Sequence, residues 1–369
     1  MKKSTMILLW LVVVVLTTTI SMSKTVFASD NLTEELQTNI SAKGTFILQA
    51  MTTEKSNNSY SGLYNTYTTN LEISKELKDN AKITVNLKGG MSNYTIDRND
   101  LAYTAINKNA NSKDLYIEVI YHHESFFCNR LNIDLGKFGI SKHFDKNSYA
   151  DDTSTQFLTG SFVSNGTIES LGDRLGLRAN YALDRFDIDY GYFSSINNTF
   201  DNNGFNILQI NYKPSKKENY RIYGWMDNRK KDFILKENKP KQKSKTFGMG
   251  VSLDREINKQ IAIFARFGYK NPYIQTKSPS LLWSGGTQIK GSLLSRTNDT
   301  IGLAIGQIYA SNFTKKYSNK HPETQIELYY KLVISDNLAI SPVLQCAVHP
   351  KGKTRENLFI YGIRTHFKF

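Results

Sequence analysis

The sequence ends on LFIYGIRTHFKF, Leu358 to Phe369. Read in twos, one side carries Phe359, Tyr361, Ile363, Thr365, Phe367 and Phe369, and the other Ile360, Gly362, Arg364, His366 and Lys368. That is a period-2 strand with one apolar and one mostly polar face. A strand that ends on an aromatic side chain, where chain ends are usually small, polar and frayed, raises the question of which solvent the apolar face meets.

The same alternation recurs upstream. Gly44 to Thr53, Arg130 to Gly139, Arg174 to Leu183, Arg185 to Phe193, Asn219 to Asp227, Lys259 to Tyr269, Pro322 to Ile334 and Asn337 to Ala347 all read as strands. The whole chain gives about sixteen strands of about ten residues, the length a tilted strand needs to cross an outer membrane. Connections run long, then short: Ile140 to Asp173 is followed by Asp184 alone, Asn228 to Lys243 by Glu256 to Asn258, Lys270 to Leu281 by Ser295 to Asn298, and Tyr309 to His321 by Ser335-Asp336. A soluble sandwich or propeller shares the alternation. It has no reason to keep every second connection short, and the second face here, with Asn132, Asp134, Arg178, Asp187, Asp189, Arg221, Lys290, Glu327, Lys331 and Arg364, is too charged for a dry core. The expectation is therefore all-β: a transmembrane antiparallel β-barrel over 44–369, with short periplasmic turns, long extracellular loops, lipid on one face and water on the other. Closure pairs the last strand with the first, so Phe367 and Phe369 anchor at the interface and read as an assembly signal for the outer-membrane insertion machinery.

At the other end, Lys2 and Lys3, an apolar run from Met6 to Leu16, and Val26-Phe27-Ala28 before Ser29 have the form of a secretory signal over 1–28. Residues 29–43 are expected to be a short periplasmic segment. Cleavage after Ala28 removes Lys2, Lys3 and Lys24, taking the net charge from +14 to 14 − 3 = +11. A mean hydropathy of −0.42 suits a soluble protein or a barrel equally, since only alternate strand residues face lipid. The two cysteines, Cys128 and Cys346, belong to no spaced metal motif. His122 and His123 are adjacent, so on a strand they point to opposite faces and cannot share one ion. No cofactor is expected, and no recognition fold accompanies the basic excess, which sets nucleic acid aside.

Three stretches resemble the OprB-type carbohydrate-selective porins of bacterial outer membranes. They are LNIDLGKFGISKHFDKNSYADDTSTQFLTGSFVSN (Leu131 to Asn165), ETQIELYYKLVISDNLAISPVLQCAVHPKG (Glu323 to Gly352) and the terminal YGIRTHFKF. Asp151-Asp152 stand where the family's loop commonly reads Asn, and His349 where it has a small polar residue before Pro-x-Gly. The resemblance implies passive diffusion of small sugars through a water-filled barrel.

A bore of this width is selective only where something narrows it. The longest connection, 140–173, either folds inward as a constriction or caps the outer mouth. Folded inward, it offers Lys142, Phe144, Asp145, Tyr149, Asp151, Asp152 and Gln156, and the strands offer Arg178, Asp189, Arg221, Tyr223, Trp225, Glu327 and Arg364. Donors, acceptors and an aromatic at close spacing suit a sugar's hydroxyls and ring faces. The basic stretch Arg229 to Lys245 falls in an outer loop, where it could meet lipopolysaccharide phosphates or draw anions to the mouth. A general or anion-favouring diffusion porin is the nearest alternative. A barrel enzyme is the more distant one, with no Ser/His/Asp arrangement to support it.

Overall fold

A computed structural model describes residues 38–53, 62–77, 80–92, 116–168, 172–195, 200, 203–232, 243–272, 279–291, 296–311, 321–352 and 357–369. The expected signal peptide lies outside the described residues. Sixteen strands follow one another: β1 (Thr38–Thr53), β2 (Gly62–Leu77), β3 (Ala81–Ser92), β4 (Tyr116–Phe126), β5 (Leu131–Phe138), β6 (Arg174–Ala182), β7 (Phe186–Phe193) and β8 (Phe205–Ser215). The second half is β9 (Glu218–Asp232), β10 (Lys243–Glu256), β11 (Ile261–Lys270), β12 (Leu281–Lys290), β13 (Thr300–Tyr309), β14 (Glu323–Ser335), β15 (Leu338–Val348) and β16 (Leu358–Lys368). Each pairs antiparallel with its neighbours in sequence, and β1 pairs β16 from Lys43 opposite Lys368 to Thr53 opposite Leu358. The sheet is a closed barrel. Even the last residue is paired: the Phe369 N–H donates to the Ala42 carbonyl at 2.8 Å, and the Ala42 N–H returns to Phe369 at 3.0 Å.

The first strand opens at Thr38, so 38–43 belong to the wall and not to a separate segment. On one rim the described connections include the tight turns 127–130, 183–185, 216–217, 257–260 and 336–337, and on the other the strands are further apart in sequence. One turn departs from that rhythm. β12 stops at Lys290 because Gly291 turns left-handed (φ 73°), and ahead of β13 Asp299 meets Arg296, the Tyr330 hydroxyl and the Val333 N–H.

Alternation separates the two faces as expected. Leu208, Ile222, Met249, Ile263, Leu303, Leu344, Tyr361 and Ile363 stand exposed around the outside. Phe186, Tyr212 and Tyr220 stack in a row beside the turn 216–217, as interfacial girdles do. No helix among the described residues is long and apolar enough to cross a membrane; the barrel crosses with its strands. Cys128, in the turn 127–130, and Cys346, on β15, are not disulfide-bonded.

The inner face is less uniform than the charge pattern implies. Phe138, Phe193, Phe205, Ile207, Tyr223 and Trp225 form one buried apolar cluster with Ile140 and Phe144, and Phe264, Ala304, Tyr329, Val343 and Ile47 form another with Ala150, Phe157, Leu158, Phe162 and Val163. In both clusters the partners of the wall come from the connection between β5 and β6.

Candidate functional site

That connection carries, among other apolar residues, the five side chains Phe144, Phe157, Leu158, Phe162 and Val163. Left in water they would forfeit roughly 1.5–3 kcal/mol each. All five are buried against the inner wall. Folding inward in turn strips water from the loop backbone, which must then find protein partners. A short turn at Ile140–Lys142 and one helical turn, α1 (Gly160–Val163), satisfy only part of it.

The wall supplies the rest. Glu327 on β14 accepts the Leu158 and Thr159 N–H groups, both at 2.7 Å, and is itself fully buried. Arg266 on β11 donates to the carbonyls of Ala150, Phe162 and Asp145 and pairs with the Asp145 carboxylate at 3.2 Å. Arg364 on β16 donates to the carbonyls of Thr153 (2.9 Å) and Gln156 (2.6 Å) with its guanidinium 5.5 Å from the Tyr329 ring centre. Gln209 accepts the Asp145 N–H at 3.0 Å, Ser161 donates to Gln325, and Gln288 donates to the Tyr149 carbonyl at 2.7 Å. Asp145 also receives the Tyr223 hydroxyl and the Asn165 N–H. The Asn165 side chain seats over Gly268, where a Cβ would collide with its amide, so only glycine leaves room there.

Within the loop the chain folds on itself. Asp152 accepts from the Ser154 N–H and the Thr155 hydroxyl, and Gln156 accepts the N–H groups of Asp151 and Asp152 while Lys146 pairs with Asp151. Lys142 places its ammonium 4.4 Å from the centre of the Tyr121 ring. His143 meets Phe138 edge-on; burial, and then the Arg178 charge, lower its pKa to about 3, so it is neutral at ordinary pH. Its 3.8 Å approach to Asp134 is therefore not an ion pair.

The candidates read from sequence fall into two groups. Lys142, Asp151 and Asp152 are on the loop and at least partly exposed, and Arg178 bridges Asp134 (2.7 Å) and Asp189 (2.5 Å) on the wall. Asp145, Asp189, Arg221, Trp225, Glu327 and Arg364 are buried, and most are engaged with each other or with the loop. Arg221 binds Asp254, which receives the loop's Ser148 hydroxyl at 2.8 Å. Trp225 stacks on Phe205 with ring centres 5.4 Å apart. Sequence reasoning does not single out Arg266, Gln209, Gln325, Gln345 or Asn165. Strand parity puts the first four on the inner face, but only the fold shows which inward side chains the loop reaches. His122 lies beside Glu124 at 3.4 Å while His123 binds Asp134 at 2.7 Å. Among the described residues no three metal-binding side chains come together.

A strand-closed barrel whose longest connection is fastened inside it is a porin architecture, and comparison agrees. Residues 86–369 match the model of the carbohydrate-selective porin, OprB family. The chain belongs to that family. No curated protein matches it in sequence. Among solved structures, the high-pH structure of Pseudomonas putida OprB is similar with a TM-score of 0.79 at 14% identity, covering 90% of this chain and 94% of that one. The low-pH structure of the same protein gives 0.57 at 14% identity, covering 90% and 92%. A mutant porin of Rhodopseudomonas blastica gives 0.55 at 10% identity, covering 90% of this chain and all of that one. At these identities the structures speak for the fold, and the family match for carbohydrate selectivity. As a porin the chain is an outer-membrane channel for small sugars.

Glu327 is the most demanding of these anchors, since one buried carboxylate serves two backbone donors. Glu327→Gln replaces one acceptor oxygen by an NH2 group and leaves a donor unmatched, a cost of about 1–3 kcal/mol. Hydrogen exchange at the Leu158 and Thr159 amides is expected to speed up by about tenfold or more, with exchange in β1 and β16 unchanged.

Proposed function

We propose that small neutral sugars diffuse passively through the part of the bore that the loop leaves open. What supports this reading is the one-sidedness of the loop's contacts. Its hydrogen bonds, ion pairs and ring contacts among the described residues go to β4, β5, β7–β12 and β14–β16. The facing wall, β2 and β3, receives none of these, and Asn70 and Glu72 are partly exposed on its inner face. An amide and a carboxylate match a solute made of hydroxyl groups.

In this reading the buried members of the candidate set, Asp145, Arg221, Glu327 and Arg364, hold the constriction in place, with Asp189 bracing Arg178 and Trp225 packing beneath the loop. Lys142, Asp151, Asp152 and Arg178 meet the solute. The tight turns face the periplasm, export depends on residues 1–28, Phe367 and Phe369 address the insertion machinery, and Arg229 to Lys245 rests against lipopolysaccharide phosphates. Deleting Phe369 and, separately, neutralising that lysine cluster are expected to lower, respectively, the yield of membrane-inserted barrel and the lipopolysaccharide that copurifies.

Planar-bilayer recording with graded sugars tests the central reading. The expected result is stepwise conductance that falls as mono- or disaccharide is added. Strong anion selectivity with no effect of sugar on the current would instead favour the general, anion-favouring porin that the charge of 14 − 3 = +11 without residues 1–28 suggests.

A further inference from the structure

Carboxylates that point into the barrel are almost all engaged. Asp134 and Asp189 share Arg178, Asp187 has Lys213, Asp254 has Arg221, Asp145 has Arg266, and Glu327 has the loop's N–H groups. Glu72, midway along β2, differs: among the described residues it forms no hydrogen bond or ion pair. Its inward direction follows from the unbroken pairing of β2, where Thr66, Thr68 and Ser74 are buried on the same parity while Leu71 and Ile73 take the other. Lys82 and Lys88 of β3 share that inner face.

Glu72 sits opposite Asn86, and Asn70 sits opposite Lys88, so the two asparagines lie on one diagonal of a four-residue tile. The side-chain oxygens of both Asn70 and Asn86 lack a hydrogen-bond partner, and Asn86 is only 7% exposed. Three acceptors without donors thus cluster on the wall that the loop does not touch. The two amide oxygens are enclosed and unmatched, which is costly, and Glu72 beside them is partly exposed. A solute that arrives carrying several O–H donors removes that cost. Asn70 and Glu72 also precede residue 86, where the family match begins, so membership of the family assigns them nothing.

We propose that Glu72, with Asn70 and Asn86, forms a sugar-binding subsite: the carboxylate accepts two neighbouring hydroxyls of the solute and the amide oxygens accept others. Resting as it does on the carbohydrate-diffusion reading, the subsite determines how strongly a sugar dwells in the bore.

The test is sugar block of ion current in the full-length protein, with Glu76→Gln as the control. Glu76 lies exposed at the end of the same strand, so it makes the same charge change away from the tile. Glu72→Gln is expected to raise the half-blocking sugar concentration about tenfold, the scale of a lost charge-assisted hydrogen bond. Asn70→Ala, which changes no charge, should move it the same way by a smaller factor, and Glu76→Gln should leave it within about twofold. Equal effects of Glu72→Gln and Glu76→Gln, or unchanged block in both Glu72→Gln and Asn70→Ala, overturn the subsite while leaving sugar transport standing. Absence of block in the unmutated channel overturns both.

Discussion

Hydrocarbon offers a peptide group no hydrogen-bond partner, and the architecture of this protein follows from that constraint. A sheet in lipid cannot keep an edge, so β1 must find β16 across the full length of the chain. It does so down to the terminal residue, whose N–H and carbonyl are both taken up by Ala42. Once the edges are joined, each strand has one face in lipid and one in the bore. The alternation of Tyr361 and Ile363 outward with Arg364 inward is the local consequence.

The same rule operates again inside. A long loop drawn into the bore by Phe144, Phe157, Leu158 and Phe162 loses water from its own peptide groups, so the wall must supply side-chain partners where a sheet would supply strands. Glu327 accepts loop N–H groups, while Arg266 and Arg364 donate to loop carbonyls. Charged side chains on the inner wall thus divide into those that bind the loop and those that do not. Burial and occupancy distinguish them: Glu327 is sealed and doubly engaged, whereas Glu72 on the facing wall has no partner among the described residues.

Much of this is legible in the order of residues alone. Period-2 patterning determines which residues face lipid, and the rhythm of long and short connections determines strand number and the inward candidate loop, because both are properties of consecutive residues. The loop's partners are not legible that way, because they depend on which strands closure places opposite one another. Arg178 and Arg266 look alike in sequence, yet one spans two wall carboxylates and the other clamps loop carbonyls. Trp225 reads equally well as a sugar platform or as packing, and only its stacking on Phe205 within the loop cluster resolves it. The turn before β13 begins earlier than the apolar pattern suggests, because a left-handed glycine, Gly291, ends a strand whose hydrophobic alternation runs on.

With the loop fastened to β4, β5, β7–β12 and β14–β16, the proposed path along β2 and β3 leaves it in place. The most direct test introduces Asn165→Cys and Gly268→Cys, with Cys128 and Cys346 replaced by serine, since the close approach of Asn165 to Gly268 places two Cβ atoms within disulfide reach. The bond is expected to form under mild oxidation, with the oxidised channel passing sugar as fast as the reduced one. Failure to cross-link, or loss of sugar flux on oxidation that returns on reduction, would contradict it.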